Sequence, residues 1–235
     1  MKTFRSNKGP FAEQPYFTQK EIEDICLQEL QKQSLYPAEP EPIRVDRFVE
    51  KRFGVQPSYE DLPPGLLGFT VFGQKGVEQI VVSKSFDEEG TVVAERRLRT
   101  TLAHEAGHGL LHSHLFVVAS ESKKLFGDDL ADNGTKILCR GEAGSGEASQ
   151  KGKSPWWEVQ ANKLMGALLL PKALVEKALS PLYIVQGRLG VRVLPPERAE
   201  EAARLLAEVF NVNPAVSRIR LQNLSTIPDP RQLTL

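Results

Sequence analysis

Residues 104–108 read His104-Glu105-Ala106-Gly107-His108, an instance of H-E-x-x-H, and no other feature of the chain restricts it as much. On a helix, residues four apart lie on one face, one turn above each other. Two imidazoles so placed can grip one metal ion. The intervening glutamate is turned aside, where it can hold a water instead of the ion. That division of labour is the one zinc hydrolases use. The chain has only four histidines, and two of them fall in this pattern.

The chain is 235 residues long, enough for one large domain or two small ones and for a core that needs no staples. Thirty basic residues balance thirty acidic ones. A net charge of zero argues against a general nucleic-acid or membrane-surface binder. Two distant cysteines, Cys26 and Cys139, make no disulfide framework and point to a reducing compartment. Residues 1–10 hold no apolar signal-peptide region, and no apolar run is long enough to span a bilayer. A cytoplasmic protein is expected.

The pattern along the chain predicts helices over Thr18–Leu35, Ile43–Phe53 (stopped by Gly54), Ala94–His112, Lys172–Leu179, Pro196–Phe210 and Pro214–Leu224. Another opens at Ser154-Pro155, with serine as N-cap and proline in the first turn, and stops at Pro171. Leu66–Phe72 and Gln79–Val82 read as strands, and Leu115–Ala119 as a strand or an edge. Gly141–Lys153 is rich in glycine, serine and charge and reads as a flexible surface loop. The sum is α+β, a small mixed or antiparallel sheet beside a helical body.

A catalytic zinc takes three protein ligands and keeps one position for water. His114, six residues after His108, fits the metzincin pattern H-E-x-x-H-x-x-G-x-x-H. That pattern needs glycine where this chain has Leu111, which continues a helix. Glu158 is the second candidate. A capping box from Ser154 would need glutamate at position 157, which is tryptophan, so Glu158 is one place too far on. It lies in a largely apolar helix, and a buried carboxylate needs a partner or a metal. Asn162, one turn on, is positioned to hold that carboxylate. His112 is about 12 Å from His104 along the helix axis, too far to share its ion, and reads as solvated or loosely packed. Cys139 is a spare soft ligand that reads better as buried filler. Tyr183 and His114 are candidates for stabilising an oxyanion.

The stretch Arg97–His112, with its AHE-x-G-H core, and the later Glu158-x-x-Ala161-Asn162-x-Leu164-x-Gly166-x-Leu168-Leu169-Leu170-Pro171 together resemble the ImmA/IrrE family of bacterial zinc metallopeptidases. Leu164 stands where the family has phenylalanine, and Gly166 where it has alanine. The strand pair before the helix and the tail Leu206–Leu221 suit the family too, so the likeness spans roughly 43–224. The departure is the 50-residue gap between His108 and Glu158, with the polar loop inside it.

The resemblance implies a zincin-like body followed by a helical, helix-turn-helix-like subdomain. It implies zinc (manganese being the alternative ion) on His104, His108 and Glu158, with Glu105 as base. It also implies site-specific cleavage of a helix-turn-helix repressor that controls stress-response or mobile-element genes. The segments are then 1–42, a polar stretch plus a helix; 43–180, the metallopeptidase; and 181–235, the helical tail. The rival reading is a regulator that binds DNA or a repressor through Val209–Leu221 without cutting. Only Arg218 and Arg220 supply cations there, against Glu197, Glu200, Glu201 and Glu208, which argues against direct nucleic-acid binding.

Overall fold

A computed structural model describes residues 2–5, 13–115, 136–140, 155–186 and 190–224, with the backbone alone for 5, 13 and 136–140. The expected loop at 141–153, the Ser154 cap, the strand continuation at 116–119 and the Cys139 side chain lie outside the described residues. The chain is mixed α+β with small sheets, as expected. A hairpin of β1 (Lys2–Arg5) and β2 (Glu13–Tyr16) precedes α1 (Gln19–Lys32). Thr18 and Glu21 close a full capping box at the start of α1, which fixes that boundary. Next comes α2 (Val45–Phe53), ended by Gly54 at φ 73°, a left-handed cap.

One sheet lies beside the helical body. Its strands are β3 (Ser58–Glu60), β4 (Leu66–Gly73), β5 (Gly76–Ser83) and β6 (Lys136–Arg140), in the order β3-β5-β4-β6. β3 runs parallel to β5, and the other pairs are antiparallel, so the sheet is mixed. β3 and β6 were not read from sequence. β6 lies between His108 and Glu158 and pairs along the flank of β4. Along β4 every second residue is buried, with Gly68, Thr70 and Phe72 facing inward.

After the short α3 (Ser85–Glu89), α4 (Val92–Leu111) carries the HEAGH motif and crosses that inward face. Its second half, 101–109, is buried all round, as a helix enclosed on every side must be. Residues 113–115 continue as a helical turn, so the strand expected from Leu115 does not begin there. α5 (Trp156–Leu169) packs along α4, and α6 (Lys172–Ala178) follows it. β7 (Ile184–Gln186) and β8 (Val191–Val193) form a hairpin. A 3₁₀ turn at Pro196–Arg198 leads into α7 (Ala199–Val209), and α8 (Pro214–Asn223) closes the described chain.

Residues from all three sequence segments enter one core: Ile22 and Leu30; Phe48, Ile80, Leu102, Leu164 and Leu168; Leu206, Phe210 and Leu221. No helix among the described residues is long and apolar enough to cross a membrane.

Candidate metal centre

The site is made where α5 crosses α4, and two glycines allow the close approach. A Cβ on Gly68 of β4 would lie 2.8 Å from both the Thr101 methyl and the Val81 carbonyl oxygen. Its absence lets α4 settle onto the sheet. A Cβ on Gly107, inside the motif, would lie 3.1 Å from the Ala161 carbonyl oxygen and 3.3 Å from its Cα. Without it the two helix backbones nearly touch, and the first turn of α5 reaches the histidine pair.

Glu158 sits in that first turn. Its helix starts at Trp156 with Pro155 as N-cap, one residue later than the serine cap expected from sequence. Glu158 is therefore the third residue of the helix, where a capping-box glutamate belongs. Proline offers no backbone N–H for it to accept. The carboxylate has no capping duty and turns to α4, with the positive helix end behind it.

There it meets both imidazoles. His104 Nε2 is 3.1 Å from Glu158 Oε2, and His108 Nε2 is 3.5 Å from Glu158 Oε1. The two Nε2 atoms are 3.0 Å apart. His104 and His108 are buried, and Glu158 is about one-fifth exposed. These three form the one such ligand group among the described residues. Tetrahedral bonds of 2.0–2.1 Å, as zinc makes to nitrogen and oxygen, put neighbouring ligands about 3.3 Å apart. The separations between His104 and each of its two neighbours, 3.0 and 3.1 Å, lie near that figure, and one atom from each of the three residues lies within 4.8 Å of the others, so the group could hold a small divalent cation.

Electrostatics point the same way. Burial pushes the Glu158 carboxyl up, but hydrogen bonds and charge from His104 and His108 outweigh it and hold the group well below the usual carboxylate range. Burial disfavours the charged form of His104, yet Glu158, Glu105 and Asn162 together raise it. His108 is lowered, mainly by burial and also by the charge of His104. The group is a net acceptor of positive charge, and a proton on His104 stands where a cation would.

Glu105 does not join the ligands. It is fully buried, and its Oε2 accepts a 2.6 Å hydrogen bond from Thr70 Oγ1 on β4. Asn162 differs from its expected role. It accepts from His104 Nδ1 at 3.0 Å and does not hold the Glu158 carboxylate. When the ring is neutral, that contact places its proton on Nδ1 and leaves Nε2 as the atom that would meet an ion.

His112 also differs, being fully buried where a solvated or loosely packed ring was expected. Its ring lies edge-to-face on Trp156, with centroids 5.5 Å apart, and its Nδ1 is 3.1 Å from His108 Nδ1. His114 is exposed and outside the ligand group, so the metzincin alternative for the third ligand is not what the fold builds. Tyr183 packs at the edge of the main core, with the Arg192 guanidinium 5.4 Å from its ring.

Sequence reading missed Thr70. Its signal was the strand alternation, which puts a polar residue on the buried face of β4 between Gly68 and Phe72.

In the tail, Arg218 makes a two-pronged pair with Glu200 at 2.6 and 2.8 Å. Arg220 is buried and spans Glu23 at 2.5 and 2.7 Å. Both cations offered for DNA contact are engaged within the molecule. Compared with known proteins, the chain matches no family model and no curated sequence.

Proposed function

We propose that the chain is a zinc-dependent endopeptidase of the ImmA/IrrE type, a zincin-like body with a helix-turn-helix-like tail. One observation carries the reading. His104, His108 and Glu158, from two helices 50 residues apart in sequence, converge at metal-ligand spacing, while Glu105 is held apart from them by Thr70.

A divalent cation bound there supplies the Lewis acid that polarises a scissile carbonyl and makes water nucleophilic near neutral pH. The rest falls to the protein. Glu105 takes the proton of the attacking water and returns it to the leaving amine. Thr70 holds that carboxylate in place, and Asn162 keeps His104 in the tautomer that a ligand needs. Zinc suits two imidazoles and a carboxylate, and manganese is the alternative.

The proposed substrate is a helix-turn-helix repressor whose cleavage releases stress-response or mobile-element genes, and the proposed setting is the cytoplasm. This substrate and this setting rest on the motif resemblance. The buried thiol of Cys26, which pairs with no second cysteine among the described residues, suits a reducing compartment. The engaged Arg218 and Arg220 favour a tail that packs on the body over one that grips DNA.

The test is to incubate the zinc-loaded protein with a candidate repressor and weigh the products by mass spectrometry. The reading predicts one discrete pair of fragments, lost with a chelator. An intact repressor, with the protein carrying one zinc per chain, would reject that substrate. A panel of repressors all left intact by the zinc-loaded protein would reject the peptidase reading itself.

A further inference from the structure

A ligand histidine needs a partner on its second nitrogen, and that partner sets its tautomer and basicity. For His104 the partner is Asn162. For His108 it is another imidazole: His108 Nδ1 lies 3.1 Å from His112 Nδ1. Two ring nitrogens share a hydrogen bond only when one carries the proton and the other is bare. If His108 presents a bare Nε2 to an ion, its proton is on Nδ1. The Nδ1 of His112 must then be the acceptor, and the His112 proton must sit on Nε2.

The far edge of the His112 ring supports that assignment independently. His112 Nε2 and Gln160 Oε1 are both buried, and neither has a well-aligned hydrogen-bond partner. The Gln160 side chain lies within hydrogen-bonding reach of the His112 ring. Its amide is not free to turn, because its Nε2 donates to the Pro15 carbonyl at 2.7 Å, which directs the oxygen away from Pro15. With the proton on His112 Nε2, the ring has a donor for that oxygen, and both orphaned atoms are answered. With the proton on Nδ1, two donors would collide at His108, and Gln160 would face a bare nitrogen.

We propose that His112 is a positioning residue of the metal centre, a neutral imidazole that accepts the His108 Nδ1 proton and is itself oriented by Gln160 and the Pro15 backbone. This rests on the reading of His104, His108 and Glu158 as ligands. It gives the segment before α1 a part in the site, since Pro15 belongs to β2, distant in sequence from both metal-binding helices.

Two measurements test it. In zinc-loaded wild-type protein, long-range ¹H–¹⁵N correlation of the histidine rings should show the proton on Nδ1 of His108 and on Nε2 of His112. A proton on Nδ1 of His112 overturns the proposal. Competition with a zinc chelator should give His112→Leu an affinity 10- to 100-fold below wild type. His112→Asn, whose Oδ1 can accept where Nδ1 did, should recover most of it. An unchanged affinity in His112→Leu overturns the proposal and leaves the ligand reading standing. Wild-type protein that binds no zinc overturns both. Should His112→Leu not fold, the wild-type tautomer decides.

Discussion

Thr70 donates to one oxygen of Glu105 at 2.6 Å, and in the proposed mechanism that contact keeps the base from becoming a ligand. A carboxylate free to swing could complete the ligand set and fill the position a water needs. Glu105→Gln keeps the shape and the Thr70 contact but cannot take a proton. Its zinc content should equal wild type while cleavage falls by about 10²- to 10⁴-fold, read by metal analysis and fragment yield on the same sample. Full activity in that variant would remove Glu105 from the chemistry.

Protons also compete for the site. In the metal-free protein His104 is raised above the ordinary histidine range of about 6.5. Its contribution to the metal-free fold is therefore fully present below that unfolded value and is lost as pH rises through the folded one. Metal binding has the opposite sign, because the ion must displace that proton. Zinc affinity should fall as pH drops through the raised His104 value, with up to one proton released per ion there. His108 is lowered and so releases none. Calorimetric titrations in buffers of different ionisation enthalpy read the proton count directly, and a pH-independent affinity between pH 6 and 8 would contradict it.

The two histidines and Glu105 were legible because their spacing is local to one helix. The partner of Asn162 was not, since it depends on how α5 is rotated against α4. His112 was misread for the same reason: Trp156, 44 residues away, is what covers it.

At the scale of elements, the site exists because α4 and α5 touch through Gly107. The Cβ and γ-methyls of Gly107→Val would enter space already within 3.1–3.5 Å of Ala161 and push α5 outward. Overpacking of this kind costs about 1–3 kcal/mol. The same displacement carries Glu158 away from the histidines. Thermal unfolding should show the stability loss, and zinc competition should show an affinity loss larger than any neutral core change of equal cost produces. Unchanged zinc affinity would mean that the helix contact does not set the site.

The long elements were readable from periodicity and caps: α1 from its Thr18–Glu21 box, α2 from Gly54, and the β4–β5 pair from apolar runs between glycines. The short ones were not. β3, β6, β7 and β8 are three to five residues each and owe their existence to a neighbouring strand, which no local pattern reports. The start of α5 was placed one residue early because Pro155 serves as cap and not as first-turn residue. That shift is what gives Glu158 its third-residue position.

At the scale of the whole molecule, one buried ion pair ties the two ends of the chain together. Arg220 on α8 is fully buried, pairs with both oxygens of Glu23 on α1, and donates from Nε to the Leu170 carbonyl at 2.9 Å. Removing one partner strands a buried charge, at a cost of about 3–5 kcal/mol. Arg220→Met alone should lower the melting temperature sharply. Combining it with Glu23→Leu should recover much of the loss, since no lone charge then remains. A double variant as unstable as the single one would show that the pair itself, and not the stranded carboxylate, matters. No local sequence pattern reports this pair, because Arg220 and Glu23 lie 197 residues apart.

The measurement that bears most directly on the account is zinc stoichiometry and affinity in wild type and Glu158→Ala, prepared side by side. Wild type should bind one ion per chain. Glu158→Ala, folded and with both histidines intact, should lose that ion or hold it at least a hundredfold more weakly. Equal binding by the two proteins would mean that the carboxylate of α5 is no ligand, and the two-helix metal centre would have to be abandoned.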